Sequence, residues 1–327
     1  MSQKKNNITI NFLPNFEPDF TKLVTRFLSY LNEQMPELVE QKNDACPISL
    51  IPMTPEQVDL LEAQGMEYGA QFQCGYKKDG SKVAYLSIDP DMPSSKIQLD
   101  VLKAILQANQ FGDDRYPLLD IEQPLLSAQD YAAAVLCVEA ENKAMLAMLT
   151  SRLKDMDPHS YEPLFHEFKD YNEELIEQFE KARASIELDK SNIISLWYAL
   201  GDDVVRTDSA LNALSYYENL RLHLLDNGMD VEEFVQGQFE PKEFFANSPL
   251  KISEQDLSRL NDDDLIFTGI DFKTLEEYGE FTHYNKRNRS YSNRDAHSDT
   301  VALIHNAGVQ SNFRGPRKLS RFDQNFD

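Results

Sequence analysis

Strand signals nearly vanish between residues 127 and 228, and this stretch constrains the fold more than any other feature of the sequence. Apolar residues recur there every three or four positions, the spacing of one helix face. The first helix begins at the capping box Ser127-Ala-Gln-Asp130 and reaches about Lys154, where Asp157-Pro158-His159-Ser160 breaks it. The last helix ends at Asn227-Gly228, a typical C-terminal signal.

Three more helices complete this prediction. A second long helix runs from about Tyr161 to Ile186, a third is capped by Ser191 and ends or is interrupted at Gly201, and a fourth covers roughly 209–225. Four long helices with short connections are typical of an antiparallel bundle.

The region before residue 113 mixes helical and strand periodicity. Its clearest signal is a β-hairpin, in which strands at 68–76 and 83–88 flank the turn Asp79-Gly80. Strands are also predicted at 8–13 and 48–53. Helices are predicted around 20–31, after the cap Thr54-Pro55-Glu56-Gln57, and after a cap at Ser94 or Ser95. The predicted fold class is therefore α+β, with a partly antiparallel sheet.

These patterns divide the chain into five predicted parts. They are an α+β domain at 1–112, a linker at 113–126, a helical bundle at 127–228, a short-helix docking segment at 229–282, and a basic, disordered tail at 283–327. The short helices of the docking segment are too brief to be stable alone, so they must pack on the bundle or on a partner.

Charge is distributed unevenly along the sequence. The chain carries a net charge of -23, yet the tail has eight basic against four acidic residues, so it is about +4 and the rest about -27. The acidic body favours basic partners and repels phosphate backbones and anionic lipid surfaces. We expect a protein partner, with nucleic acid restricted to the tail. The candidate partner-binding residues there are Arg287, Arg289, Arg294, Arg314, Arg317, Lys318 and Arg321.

Common catalytic and cofactor motifs are missing from the sequence. Glycine-rich nucleotide loops, H-E-x-x-H, G-x-S-x-G and an EF-hand loop are all absent, so no catalytic residue and no cofactor is predicted. The three cysteines form no C-x-x-C pair, and Cys137 lies in an apolar run as a small buried residue. The start of the chain lacks the apolar run of a signal peptide, and no run suffices for a membrane span. A soluble, cytoplasmic protein is expected.

Two helix faces are weak candidates for a metal site. On the second bundle helix, Glu162, His166 and Asp170 fall on the face opposite the apolar stripe, as does Glu173. On the first, Glu139 lies within or beside the stripe, where it would be one ligand of a carboxylate centre. The alternative for both is structural: a solvated face with i,i+4 pairs, and a buried carboxylate with a hydrogen-bond partner.

The sequence favours a non-catalytic interaction protein, which would be an adaptor, an assembly factor or a structural component of a larger complex. One alternative is a metal-dependent enzyme with a carboxylate-rich site in the helical domain. A second alternative is an acidic mimic of nucleic acid that binds a basic partner.

Overall fold

The computed structural model describes residues 10–13, 16–36, 46–63, 70–77, 80–117, 119, 125–170, 172–185, 203–252 and 257. Its four strands are β1 (Ile10–Phe12), β2 (Ile48–Pro52), β3 (Gln71–Tyr76) and β4 (Lys82–Ile88). Its helices are α1 (Pro18–Gln34), α2 (Pro55–Ala63), α3 (Ser94–Gly112), α4 (Ala128–Met156), α5 (Pro158–Asp170), α6 (Glu173–Ser185), α7 (Asp203–Asp226) and α8 (Pro241–Ala246), with a 3₁₀ turn at Val231–Phe234. The predicted α+β class is confirmed.

The strands form one mixed sheet in the order β1-β2-β4-β3. The predicted hairpin is present: β3 and β4 pair antiparallel, with Cys74 opposite Ala84. Gly80 has a φ of +82°, a left-handed conformation that costs glycine little. The other two pairings, of β1 with β2 and of β2 with β4, are parallel.

Helix α3 contacts both the sheet and three other helices. It packs against β2, β3 and β4, and also against α1, α4 and α5. A helix covered on several sides must be apolar around much of its circumference. Accordingly, eleven of its residues are buried, from Ile97 to Phe111. One hydrophobic cluster therefore runs from Phe20 on α1, through the sheet, to Phe179 on α6 and Phe245 on α8. The domain boundaries inferred from sequence remain a prediction.

Local capping signals were accurate at several helix starts. Thr54 Oγ1 accepts from the amide of Gln57, and Gln57 Oε1 accepts from the amide of Thr54, which is a reciprocal capping box. Ser127 Oγ accepts from the amide of Asp130 at 3.1 Å. Helix α3 differs, because Pro93 occupies its N-cap position and Ser94 is already its first residue.

The predicted helix from Tyr161 to Ile186 is two helices in the structure. It starts earlier, at Pro158, and α5 ends at Asp170 before α6 begins at Glu173. Asn172 lies at the break, where its side-chain amide donates to Phe168 O at 3.0 Å and satisfies a carbonyl at the end of α5. Asparagine offers the backbone such a local alternative to continued helix.

The predicted stop at Asn227-Gly228 is confirmed. Gly228 has a φ of +73°, and the amide of Met229 donates to Leu224 O at 2.9 Å, closing α7 with a left-handed glycine. Around α7 lies a second, smaller apolar cluster that includes Leu125, Tyr131 and Tyr217. Within the described residues, every helix is too short or too polar to cross a membrane.

Several predicted features lie outside the described residues. They are the Ser191 cap and Gly201, most of the short-helix segment beyond residue 252, and the basic tail with its seven candidate residues.

Candidate functional site: a buried carboxylate cluster

Among the described residues, the most deeply buried carboxylate is that of Glu141, in the middle of α4. Its side chain is 1% exposed. An isolated carboxylate at such a depth would be very costly, because it loses its hydration without replacement. Its surroundings therefore decide whether the site is stabilising or reactive.

Three side chains donate hydrogen bonds to this carboxylate. Arg115 Nη1 lies 2.9 Å from Oε1 and 2.8 Å from Oε2 of Glu141. Gln110 Nε2 donates to Oε2 at 2.8 Å, and Ser248 Oγ donates to Oε1 at 2.6 Å. The donors come from the end of α3, the turn after it, and the segment after α8. The cluster of Glu141, Arg115, Gln110 and Ser248, here called the Glu141 cluster, joins parts of the chain that are far apart in sequence.

The turn that ends α3 positions Arg115 next to Glu141. Asp114 has a φ of +57°, so the chain reverses there, and the amide of Arg115 donates to Gln110 O at 2.9 Å. Lys82 on β4 stabilises this turn, because its Nζ donates to Gly112 O and to Asp114 Oδ1, each at 2.7 Å. A cation at a helix C-terminus also interacts favourably with the helix dipole.

The Glu141 cluster leaves one donor and one acceptor without a hydrogen bond. They are Arg115 Nε and Gln110 Oε1, both buried, although Asp113 Oδ2 lies 4.0 Å from Arg115 Nε. The guanidinium also packs over the ring of Phe244, 5.1 Å from its centroid. This geometry holds helices and segments together, and both oxygens of Glu141 are already occupied.

The candidate metal ligands from the sequence do not come together as one group. Glu162 Oε1 and His166 Nε2 are 3.8 Å apart on α5, and both side chains are more than half exposed. Asp170 is exposed at the end of α5, while Glu173 belongs to the next helix. Glu139 is half-buried on α4. Among the described residues, no group of three or more His, Cys, Asp or Glu side chains is arranged to hold a metal ion.

Glu139 lies in a different environment from its neighbour Glu141. The pKa of the nearby Tyr116 hydroxyl is raised well above its usual value, first by burial and to a lesser extent by Cys74, Tyr131 and Glu139. For Glu139, the role of a metal ligand remains a prediction.

The sequence interpretation chose Glu139 and missed Glu141. A signal was available: the residues three and four positions before and after Glu141 are Cys137, Val138, Ala144 and Met145, all apolar. In contrast, the residues three and four positions after Glu139 are the polar Asn142 and Lys143. Helical spacing thus places Glu141, and not Glu139, at the centre of the buried face.

All three cysteines are buried, and none of them is in a disulfide. Burial raises the pKa of the Cys46 thiol to about 12, against a smaller lowering by Lys82. Burial likewise raises the pKa values of Cys74 and Cys137. Because the thiolate is the nucleophile, thiols of this kind are unreactive at neutral pH.

No protein-family model, no curated protein and no solved structure matches the chain.

Proposed function

We propose that this chain is a non-catalytic interaction protein that binds a basic partner through its acidic surface, as an adaptor, an assembly factor or a structural component. The observation that carries the proposal is where the charge lies. Among the described side chains, eighteen Asp and Glu residues are exposed against seven Lys and Arg residues. The acid excess is thus displayed to solvent, where it steers oppositely charged partners.

The use of the buried polar groups supports the same proposal. Glu141 is occupied by three donors, and the thiols are buried in the core. Glu141, a residue type that often carries chemistry in enzymes, serves here to join segments of the fold. Reactive side chains in a catalytic site usually keep a face open to substrate.

One stretch of surface is the best candidate for docking. Between the end of α7 and α8, the exposed charged residues are all acidic; we call them the acidic edge, and they are Asp226, Asp230, Glu233, Glu240 and Glu243. Leu225, beside them, is 56% exposed, which is unusual for a large apolar side chain in this structure. A cluster of acidic side chains along one short stretch of chain can steer a basic partner to it.

The experiment compares two variants of equal charge. The first neutralises the acidic edge as Asp226→Asn, Asp230→Asn and Glu233→Gln. The matched control removes three acidic charges elsewhere, as Glu162→Gln, Asp170→Asn and Glu173→Gln, all exposed positions on α5 and α6. Each immobilised full-length protein is used to capture proteins from a native extract, at about 0.1 M and at about 0.5 M salt.

We expect wild type and the control to retain the same basic protein, and the acidic-edge variant to lose roughly tenfold or more of it. Retention should fall with salt because the attraction is between charges near the surface. Equal retention by all three proteins, or retention independent of salt, would contradict the proposal. Loss of the captured protein on adding duplex DNA would instead identify the chain as a nucleic-acid mimic.

A further inference from the structure

The segment Pro241–Ile252, here called the strap, covers the Glu141 cluster. Ser248 Oγ donates to Glu141 Oε1, and the ring of Phe244 lies against the Arg115 guanidinium. Phe245, which is fully buried, and Leu250 anchor the strap in the main hydrophobic cluster. The strap therefore contributes both a polar lid and an apolar anchor to the same place.

Three features of the strap and of the cluster that it covers are energetically unfavourable. Arg115 Nε and Gln110 Oε1, in the cluster that the strap covers, are buried without a hydrogen-bond partner, and both atoms would regain hydration if the strap opened. Lys251 has a φ of +54°, a left-handed conformation that side-chain-bearing residues adopt at a cost. The only helix in the strap, α8, has six residues and cannot be stable by itself. The apolar anchor, the Ser248 hydrogen bond and the contact of Phe244 with Arg115 oppose these terms.

A fixed point lies just before the strap. The amides of Gln236 and Gly237 donate to Leu125 O at 3.1 Å and 3.0 Å, and Val235 forms a bridge with Leu125. A Cβ on Gly237 would come within 2.9 Å of Leu126 Cδ2, so the backbone is in close contact there. Movement of the strap would stop at this attachment and leave α7 in place.

We infer that the strap opens and closes as one unit while α4 stays folded, and that opening exposes the Arg115–Glu141 ion pair to solvent. Ser248 stabilises the closed position of the strap, because its hydroxyl donates a hydrogen bond to the buried carboxylate of Glu141. The inference concerns a conformational change within the chain and is independent of the proposed partner.

Hydrogen exchange on the full chain tests whether the strap opens while α4 stays folded. The reporting amides are those of Phe244 and Asn247, which donate to Glu240 O and Glu243 O within the strap helix and its cap. Wild-type exchange at these amides should be on the order of tenfold faster than in the middle of α4, because a sub-global opening costs less than global unfolding.

Two variants should move the exchange rate in opposite directions. Ser248→Ala should speed exchange at Phe244 and Asn247 by about tenfold, because it deletes a charge-assisted hydrogen bond, with α4 unchanged. Lys251→Gly should slow it, because glycine accepts the left-handed conformation. Ser29→Ala is the matched control, since Ser29 Oγ bonds an exposed carbonyl on α1 at 2.9 Å. Strap and α4 amides that exchange at one common rate in every protein would overturn the inference.

Discussion

Two glutamate–arginine pairs in this protein have the same chemistry and opposite surroundings. Arg115 and Glu141 meet in the interior, with side chains 10% and 1% exposed. Arg221 and Glu218 meet on α7 through two bonds of 2.7 Å, with side chains 41% and 25% exposed. The second pair has the shorter contacts, but the first joins segments that are far apart in sequence. Contact distance is therefore a poor guide to what a charge pair contributes, and solvent access decides it.

The largest effect is expected for Glu141→Gln. This change leaves the Arg115 guanidinium buried without its counter-charge, and breaking one partner of a buried pair costs about 3–5 kcal/mol of the free energy of unfolding. Urea unfolding followed by circular dichroism would measure it. A loss below about 1 kcal/mol would mean that Asp113, 4.0 Å from Arg115 Nε, already compensates the charge.

A smaller effect is expected when both charges of the buried pair are removed together. In Arg115→Met with Glu141→Leu, no buried charge is left without a partner, so the loss should be less than half of that in Glu141→Gln. The same unfolding measurement applies to both proteins. A double variant less stable than the single one would show that the cluster stabilises through its hydrogen bonds to Gln110 and Ser248 rather than through charge.

The smallest effect is expected for Glu218→Gln. A solvent-accessible pair on one helix contributes about 0.2–1 kcal/mol, and the bidentate geometry here favours the upper part of that range; salt screens the interaction. Unfolding at low and at high salt checks both points, since the small loss should disappear at high salt whereas that of Glu141→Gln should persist. Equal losses of unfolding free energy in Glu141→Gln and Glu218→Gln would contradict the conclusion that solvent access decides what a charge pair contributes.

Local signals in the sequence were sufficient for much of the fold. The hairpin followed from Asp79-Gly80, and the start of α4 and the end of α7 followed from Ser127 and Gly228, because these structures depend on residues a few positions apart. The break between α5 and α6 could not be predicted from periodicity. Phe168, Leu175 and Phe179 continue the apolar spacing across it, and all three are buried.

The site was less accessible to sequence reasoning than the fold. Ser248 and Glu141 are 107 residues apart, and nothing local to either one indicates the other. The parallel pairing of β2 with β4 could not be predicted for the same reason. It depends on the path by which the chain returns to the sheet, and no local signal indicates that path. Only the burial of Glu141 itself could be predicted from the sequence, because its four neighbours at helical spacing are apolar.

Lys82 on β4 limits where the chain can be cut to make expression fragments. Lys82 is 9% exposed, and its two acceptors, Gly112 O and Asp114 Oδ1, come from the turn that ends α3. An expression fragment cut after residue 112 would keep the ammonium group but remove the aspartate that neutralises it. Fragment boundaries drawn from composition alone would therefore separate this cation from its counter-ion.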